Sequence, residues 1–112
     1  MHKIYDMPFA RVYPLYVAKL QRKERNIDDL NAVIQWLTGF TQQQIDLHIE
    51  QQTNFRDFFA AAKLHPNAGL ITGVICGVNV QEIEDPLMQK IRYLDKLVDE
   101  LFQGKALDKV LR

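Results

Sequence analysis

A chain of 112 residues has room for one hydrophobic core and not for two, and its 47% apolar and 25% charged content excludes an intrinsically disordered composition. The formal net charge is zero, which argues against a dedicated nucleic-acid binder, since those carry a basic excess. One cysteine excludes an internal disulfide, and the longest apolar run, residues 70–80, is interrupted by Gly73 and Gly77 and falls short of the roughly 20 residues that span a bilayer.

The opening residues Met1-His2-Lys3-Ile4-Tyr5-Asp6 contain no apolar leader, so a cytoplasmic location and no membrane partner are the expectation. Charge is unevenly distributed. Residues 1–25 carry six bases against two acids, a net +4, and residues 26–112 carry eight against twelve, a net −4. Either the two regions complement each other inside the fold, or the first is a basic arm for an acidic partner.

In chain order, residues 1–12 read as an arm or short turn. Pro14 lacks an amide donor and suits a first helical turn, which places the first helix at residues 13–25. Asn26 is the cap of a second helix, with Asp28 and Asp29 in its first turn, Ile27, Leu30, Val33, Ile34 and Leu37 at helical spacing, and Gly39 as a left-handed stop. Thr41 and Gln44 form a capping-box pattern for a third helix, with Phe40 and Ile45 placed for a hydrophobic staple. Asn54 or Thr53 caps a fourth, which carries Phe55, Phe58, Phe59 and Ala62 and ends before His65-Pro66.

Residues 70–80 are ambiguous. Their Val and Ile content suits a strand, with the glycines marking bulges or a close backbone approach. The helical template fits better, because Leu70, Ile71, Val74, Ile75 and Val78 share one face and the other is small throughout, so a helix is preferred and a short hairpin is the alternative. Asp85 then caps, and Pro86 opens, a last long helix with Leu87, Ile91, Leu94, Leu97, Val98, Leu101 and Phe102 on its apolar stripe; Gly104 ends it, and a short piece follows with Leu107, Val110 and Leu111. On this reading Asp95 pairs with Arg92 on the solvated side. The fold class is all-α: a compact bundle of about six helices in a single domain, residues 1–112, with α+β and a hairpin at 70–80 as the alternative.

Three stretches carry a resemblance: Phe9-Ala10-Arg11-Val12-Tyr13-Pro14-Leu15-Tyr16-Val17-Ala18-Lys19, Val33-Ile34-Gln35-Trp36-Leu37-Thr38-Gly39, and residues 84–101 from Glu84-Asp85-Pro86 to Asp99-Glu100-Leu101. They resemble a small bacterial family, domain of unknown function 2200. The family has no assigned activity, so the resemblance implies a bacterial cytosolic protein and carries over no site residues. At the first helix–helix turn the resemblance leads one to expect a glycine where this chain has Glu24.

No catalytic constellation emerges, and the reading leans away from an enzyme. His2, His48, His65 and Cys76 make no pair at metal-ligand spacing; Cys76, in an apolar run, reads as a buried and inert thiol. Glu82, Glu84 and Asp85 form an acidic knot explained by the dipole of the helix that follows. No phosphate-binding loop is present, so no metal or cofactor is expected. What remains is an aromatic and basic surface near the N-terminus: Phe9, Tyr13 and Tyr16 at i, i+4 and i+7, with Arg11, Lys19, Arg22 and Lys23. It suits an unknown protein partner or a homo-oligomer, and the leading function is a protein-interaction or self-associating helical module. Two alternatives are a nucleic-acid-associated protein using Lys19, Arg22, Lys23 and Arg25, and a small-molecule binder with a pocket near Tyr13 and Tyr16.

Overall fold

The computed structural model describes residues 2–112. Its spine is the most strongly patterned segment of the sequence. Helix α5, Pro86–Phe102, is capped by Asp85, whose carboxylate accepts from the backbone N–H of Leu87 at 3.0 Å, with Pro86 at the first helical position. Ile91, Leu94, Leu97, Val98 and Leu101 are dry, as their spacing predicts. Around α5 pack α1 (Phe9–Gln21), α2 (Ile27–Thr38), α4 (Phe55–Ala61) and the closing turn α6 (Leu107–Val110), while α3 (Gln42–Glu50) rests on α1 and α2. The six helices among the described residues match the expected bundle.

The caps of α2 to α4 follow the sequence. Asn26 accepts from Asp28 N–H, the Thr41–Gln44 capping box is closed in both directions, and Asn54 rather than Thr53 caps α4 through the Asp57 N–H. Gly39 ends α2 with φ +73°, and a Cβ there would meet the Lys63 carbonyl oxygen at 3.0 Å. Phe40 and Ile45, the expected staple pair, are both in the core.

Two segments depart from expectation. The first helix begins at Phe9, four residues early, and ends at Gln21. Its start is set from outside the helix. Phe9 N–H donates to the Thr53 carbonyl at 2.9 Å and Phe55 N–H to the Met7 carbonyl at 3.1 Å, so the arm is paired against the entry to α4. Pro14 therefore lies inside the helix, exposed, where its missing N–H leaves the Ala10 carbonyl without its usual intrahelical donor. The rest of the arm is a 3-10 turn, Lys3–Asp6, with Tyr5 in the core; Met1, which also belongs to the expected arm, lies outside the described residues.

The second departure is residues 70–80, where the preferred helix is wrong and the alternative forms. Between two 3-10 turns, Ala68–Leu70 and Val80–Glu82, strands β1 (Val74–Ile75) and β2 (Val78–Asn79) pair antiparallel, with Val74 opposite Asn79 and Ile75 opposite Val78. The two-residue loop between them, Cys76-Gly77, has φ +52° and +79°, the two positive values of a type I′ turn, and Gly73 has φ +111°. Three left-handed residues in five forbid a helix. Cys76 is consequently exposed at the hairpin tip, which corrects the expectation of a buried thiol.

The α1–α2 turn answers the question raised by Glu24. Arg25 N–H returns to the Leu20 carbonyl at 3.0 Å, and Glu24 adopts φ +54°, a conformation natural to glycine. A non-glycine residue there costs about 1–2 kcal/mol, against about 0.5–1 kcal/mol for the extra unfolded-state freedom of glycine. Glu24→Gly should therefore raise the unfolding free energy by about 0.5–1 kcal/mol, and Glu24→Val should lower it by about 1 kcal/mol or more, as read by urea titration. A loss of stability in the glycine variant would show that the turn is not strained.

Candidate docking surface

The seven residues of the expected surface part company in the structure. Phe9 is fully buried, stacked on Phe58 at 4.3 Å between ring centroids and edge-on to Phe55. Tyr16 is buried too, and its hydroxyl donates to Asp95 at 2.6 Å. Neither belongs to a surface, because the helix register that puts one outside would leave the bundle core without its ring. Tyr13 is half-buried, its hydroxyl donating to Asn31 at 2.6 Å. Lys19 is half-buried with its ammonium 3.8 Å from Asp99, and the ammonium groups of Lys19 and Lys23 each lie 4.9 Å from the centre of the Phe102 ring. Arg11, Arg22 and Lys23 remain exposed.

Arg11 and Arg22 border an exposed leucine, Leu15. Arg11, Leu15, Ala18 and Arg22 follow at i, i+4, i+7 and i+11, a single stripe on the side of α1 opposite Phe9, Tyr16 and Leu20. Leu15 is 65% exposed at its centre, and neither arginine has a carboxylate partner among the described residues. Helix α1 contains no acidic residue. The signal was available: once the helix starts at Phe9, the stripe is a simple count along it.

Lys19 and Arg25 serve the fold. Arg25 pairs with Asp29 at 2.9 Å and donates to the Lys105 carbonyl at 2.8 Å, tying the α1–α2 turn to the end of α5. Part of the charge asymmetry is thus settled internally.

Beneath the stripe, Tyr16, Asp95 and Arg92 form a chain, with Arg92 2.8 Å from the second Asp95 oxygen and 3.5 Å from the Cys76 sulfur. The Arg92–Asp95 pair is the expected one, but Asp95 is not a solvated spectator: it holds a buried hydroxyl from α1. Burial, followed by the Asp95 charge and hydrogen bond, pushes the Tyr16 hydroxyl well above its ordinary pKa. Separately, Tyr5 donates to the helix-capping Asp85 at 2.5 Å. Burial and that carboxylate push Tyr5 up to about 12, and the same hydrogen bond holds Asp85 below its ordinary value. Two surface hollows lie at Pro8, Ala10, Arg11 and Gln52, and at Gly77–Ile83; neither is lined by Tyr13 or Tyr16. Among the described residues no group of three or more His, Cys, Asp or Glu converges to hold a metal ion, and no helix is long and apolar enough to cross a membrane.

The model of a protein family described as uncharacterized and conserved in bacteria matches residues 3–112. The chain belongs to the DUF2200 family. Its fold is similar to the crystal structure of uncharacterized protein SP1917, with a TM-score of 0.92 and 43% identity over 99% of this chain and 93% of that one. No curated protein matches the chain. The family and the solved structure assign no activity to the DUF2200 fold, so the functional reading rests on the surface itself.

Two predictions test the buried hydroxyl–carboxylate pairs. Asp95→Ala leaves the buried Tyr16 hydroxyl without its acceptor and should cost about 1–3 kcal/mol. In a cycle with Tyr16→Phe the double variant should be less destabilised than the two single losses added together. Additive losses would mean that the two side chains do not interact. The alkaline limb of stability tests the raised hydroxyls. Tyr5 titrates near 10 when unfolded and at about 12 when folded, so its contribution is complete below pH 10 and lost as pH rises towards 12. Urea unfolding across that interval should show stability falling with pH, more shallowly in Tyr5→Phe; an unchanged slope would place the Tyr5 hydroxyl in solvent.

Proposed function

We propose that this DUF2200 protein is a docking module whose outer α1 stripe binds an acidic protein surface. The observation that carries the reading is Leu15, 65% exposed on an acid-free helix between two arginines that have no carboxylate partner among the described residues. A single exposed leucine is ordinary on a protein surface. Here it sits at the middle of a stripe whose ends, about 16 Å apart at 1.5 Å per residue, are cationic, with Lys23 beyond. An apolar centre with a charged rim is the usual anatomy of an interface: the centre supplies affinity as it dries, and the rim steers encounter and sets orientation.

The stripe is also held rigid. Phe9 is stacked into the core, Tyr16 is clasped by Asp95 and Lys19 is tethered to Asp99, so presenting the outer face requires no ordering of α1 and incurs little entropy on docking. Nucleic acid is a weaker candidate for the partner. Lys19 and Arg25, two of the four cations that reading relied on, are engaged with Asp99 and Asp29, and the total charge is zero.

A photoreactive phenylalanine analogue at position 15, introduced in cells, tests the proposal directly. It should give a discrete crosslinked protein band. The same group at exposed Ala60, on α4, should not, and Arg11→Glu with Arg22→Glu should abolish the band. No crosslink at position 15, or the same bands from both positions, would overturn the reading.

A further inference from the structure

The reading above leaves the acidic surface unnamed, and the hairpin offers one with matching features. Val78 is 44% exposed, and with Gly77, Asn79, Glu82 and the half-buried Ile83 it lines a surface hollow of about 400 Å³. Its rim is acidic. Glu82 is exposed and accepts only from the Asn79 side chain at 3.0 Å, and exposed Glu84 follows two residues later; neither has a cationic partner among the described residues. Asp85, the third member of the acidic knot, is occupied by Tyr5 and by its cap, which leaves the two glutamates as the free charge. Two cations of α5 are turned elsewhere: Arg92 to Asp95 and the Cys76 sulfur, Lys96 to the Val74 carbonyl and Asp99.

Taken with the docking role proposed for α1, on which it rests, this geometry points to a second copy of the same chain as the partner: we infer that the α1 stripe of one copy docks on the hairpin face of another. Leu15 seats in the hollow against Val78 and Ile83, and Arg11 and Arg22 meet Glu82 and Glu84. Each patch supplies what the other lacks, apolar centre for apolar centre and uncompensated cations for uncompensated anions. Both patches are small, so the contact belongs to the weak end of protein interfaces and responds to salt, because rim charges are screened over about 10 Å at 0.1 M.

Because the two surfaces are unlike, mixing tests the inference. Sedimentation equilibrium of the wild type should show concentration-dependent association that weakens with salt. Arg11→Glu with Arg22→Glu, and separately Glu82→Lys with Glu84→Lys, should each weaken self-association by about tenfold or more, the effect of losing roughly 1.4 kcal/mol of contact. The equimolar mixture of the two charge variants should associate again, since each brings a surface complementary to the other. Leu15→Lys and Val78→Asp, which leave the rim charges in place, serve as an independent pair and should also weaken it; a circular dichroism melt confirms that each variant is folded. A wild type that stays monomeric at high concentration, or variants that fail to recover on mixing, would overturn the inference. If position 15 then crosslinks to a different protein, the docking role stands and only the identity of the partner falls.

Discussion

The burial of one face of α5 is the constraint on which the molecule depends. Ile91, Leu94, Leu97, Val98 and Leu101 form a dry seam along the longest helix, and α1, α2, α4, α6 and the hairpin all lie against that helix. Five aliphatic side chains at roughly 1.5–3 kcal/mol each contribute about 8–15 kcal/mol, a sum comparable with the whole net stability of a domain. Polar contacts then fix how the neighbours sit on the seam. Asp95 takes the Tyr16 hydroxyl from α1, Asp99 takes Lys19, and Glu100, itself buried, takes the Arg112 guanidinium at 2.6 Å. These carboxylates share a helix with the seam, so the register of α5 sets the rotation of α1 and therefore which α1 residues face outward.

The same constraint accounts for the division of labour among the N-terminal aromatic and basic residues. The rings of Phe9 and Tyr16 are drawn into the core, and Lys19 and Arg25 are consumed by internal carboxylates. What stays outside is the complement of the buried arc: Arg11, Leu15, Ala18 and Arg22. The proposed docking face is thus a by-product of packing, with buried Phe9, Tyr16 and Leu20 on the opposite side of the same helix. A rigid face of that kind suits recognition by shape and charge more than it suits chemistry, which needs converging polar groups in a dry cleft.

The hairpin follows a different logic. It is anchored at its two ends by Ile71 and Val80, both fully buried, while Val74 and Val78 between them are exposed. Local backbone conformation at Gly73, Cys76 and Gly77, rather than burial, shapes it. A short ribbon with apolar side chains facing solvent and acids at its base is a second surface of the same construction as the first, with opposite charge.

Strong local signals were decisive on their own. The cap, proline and apolar spacing of α5, the Thr41–Gln44 box, and the stops at Gly39 and Gly104 are legible in the sequence because each is settled by residues within one or two turns of itself. Three features were not. The start of α1 is set by hydrogen bonds to Thr53 and Asn54's strand-like neighbourhood, more than 40 residues away in the chain. Residues 70–80 satisfy a helical apolar pattern, yet the positive φ values of Gly73, Cys76 and Gly77 rule it out, and periodicity carries no information about φ. The surface was misplaced for the first of these reasons: Phe9 and Tyr16 were legible as an aromatic stripe, but whether a stripe faces core or solvent depends on the partner it meets, and here the partner is Asp95, Phe55 and Phe58 from helices remote in sequence. By itself the sequence determined the elements whose energetics are local; only the tertiary structure decided which faces of them meet, because that choice is made by contacts between residues tens of positions apart.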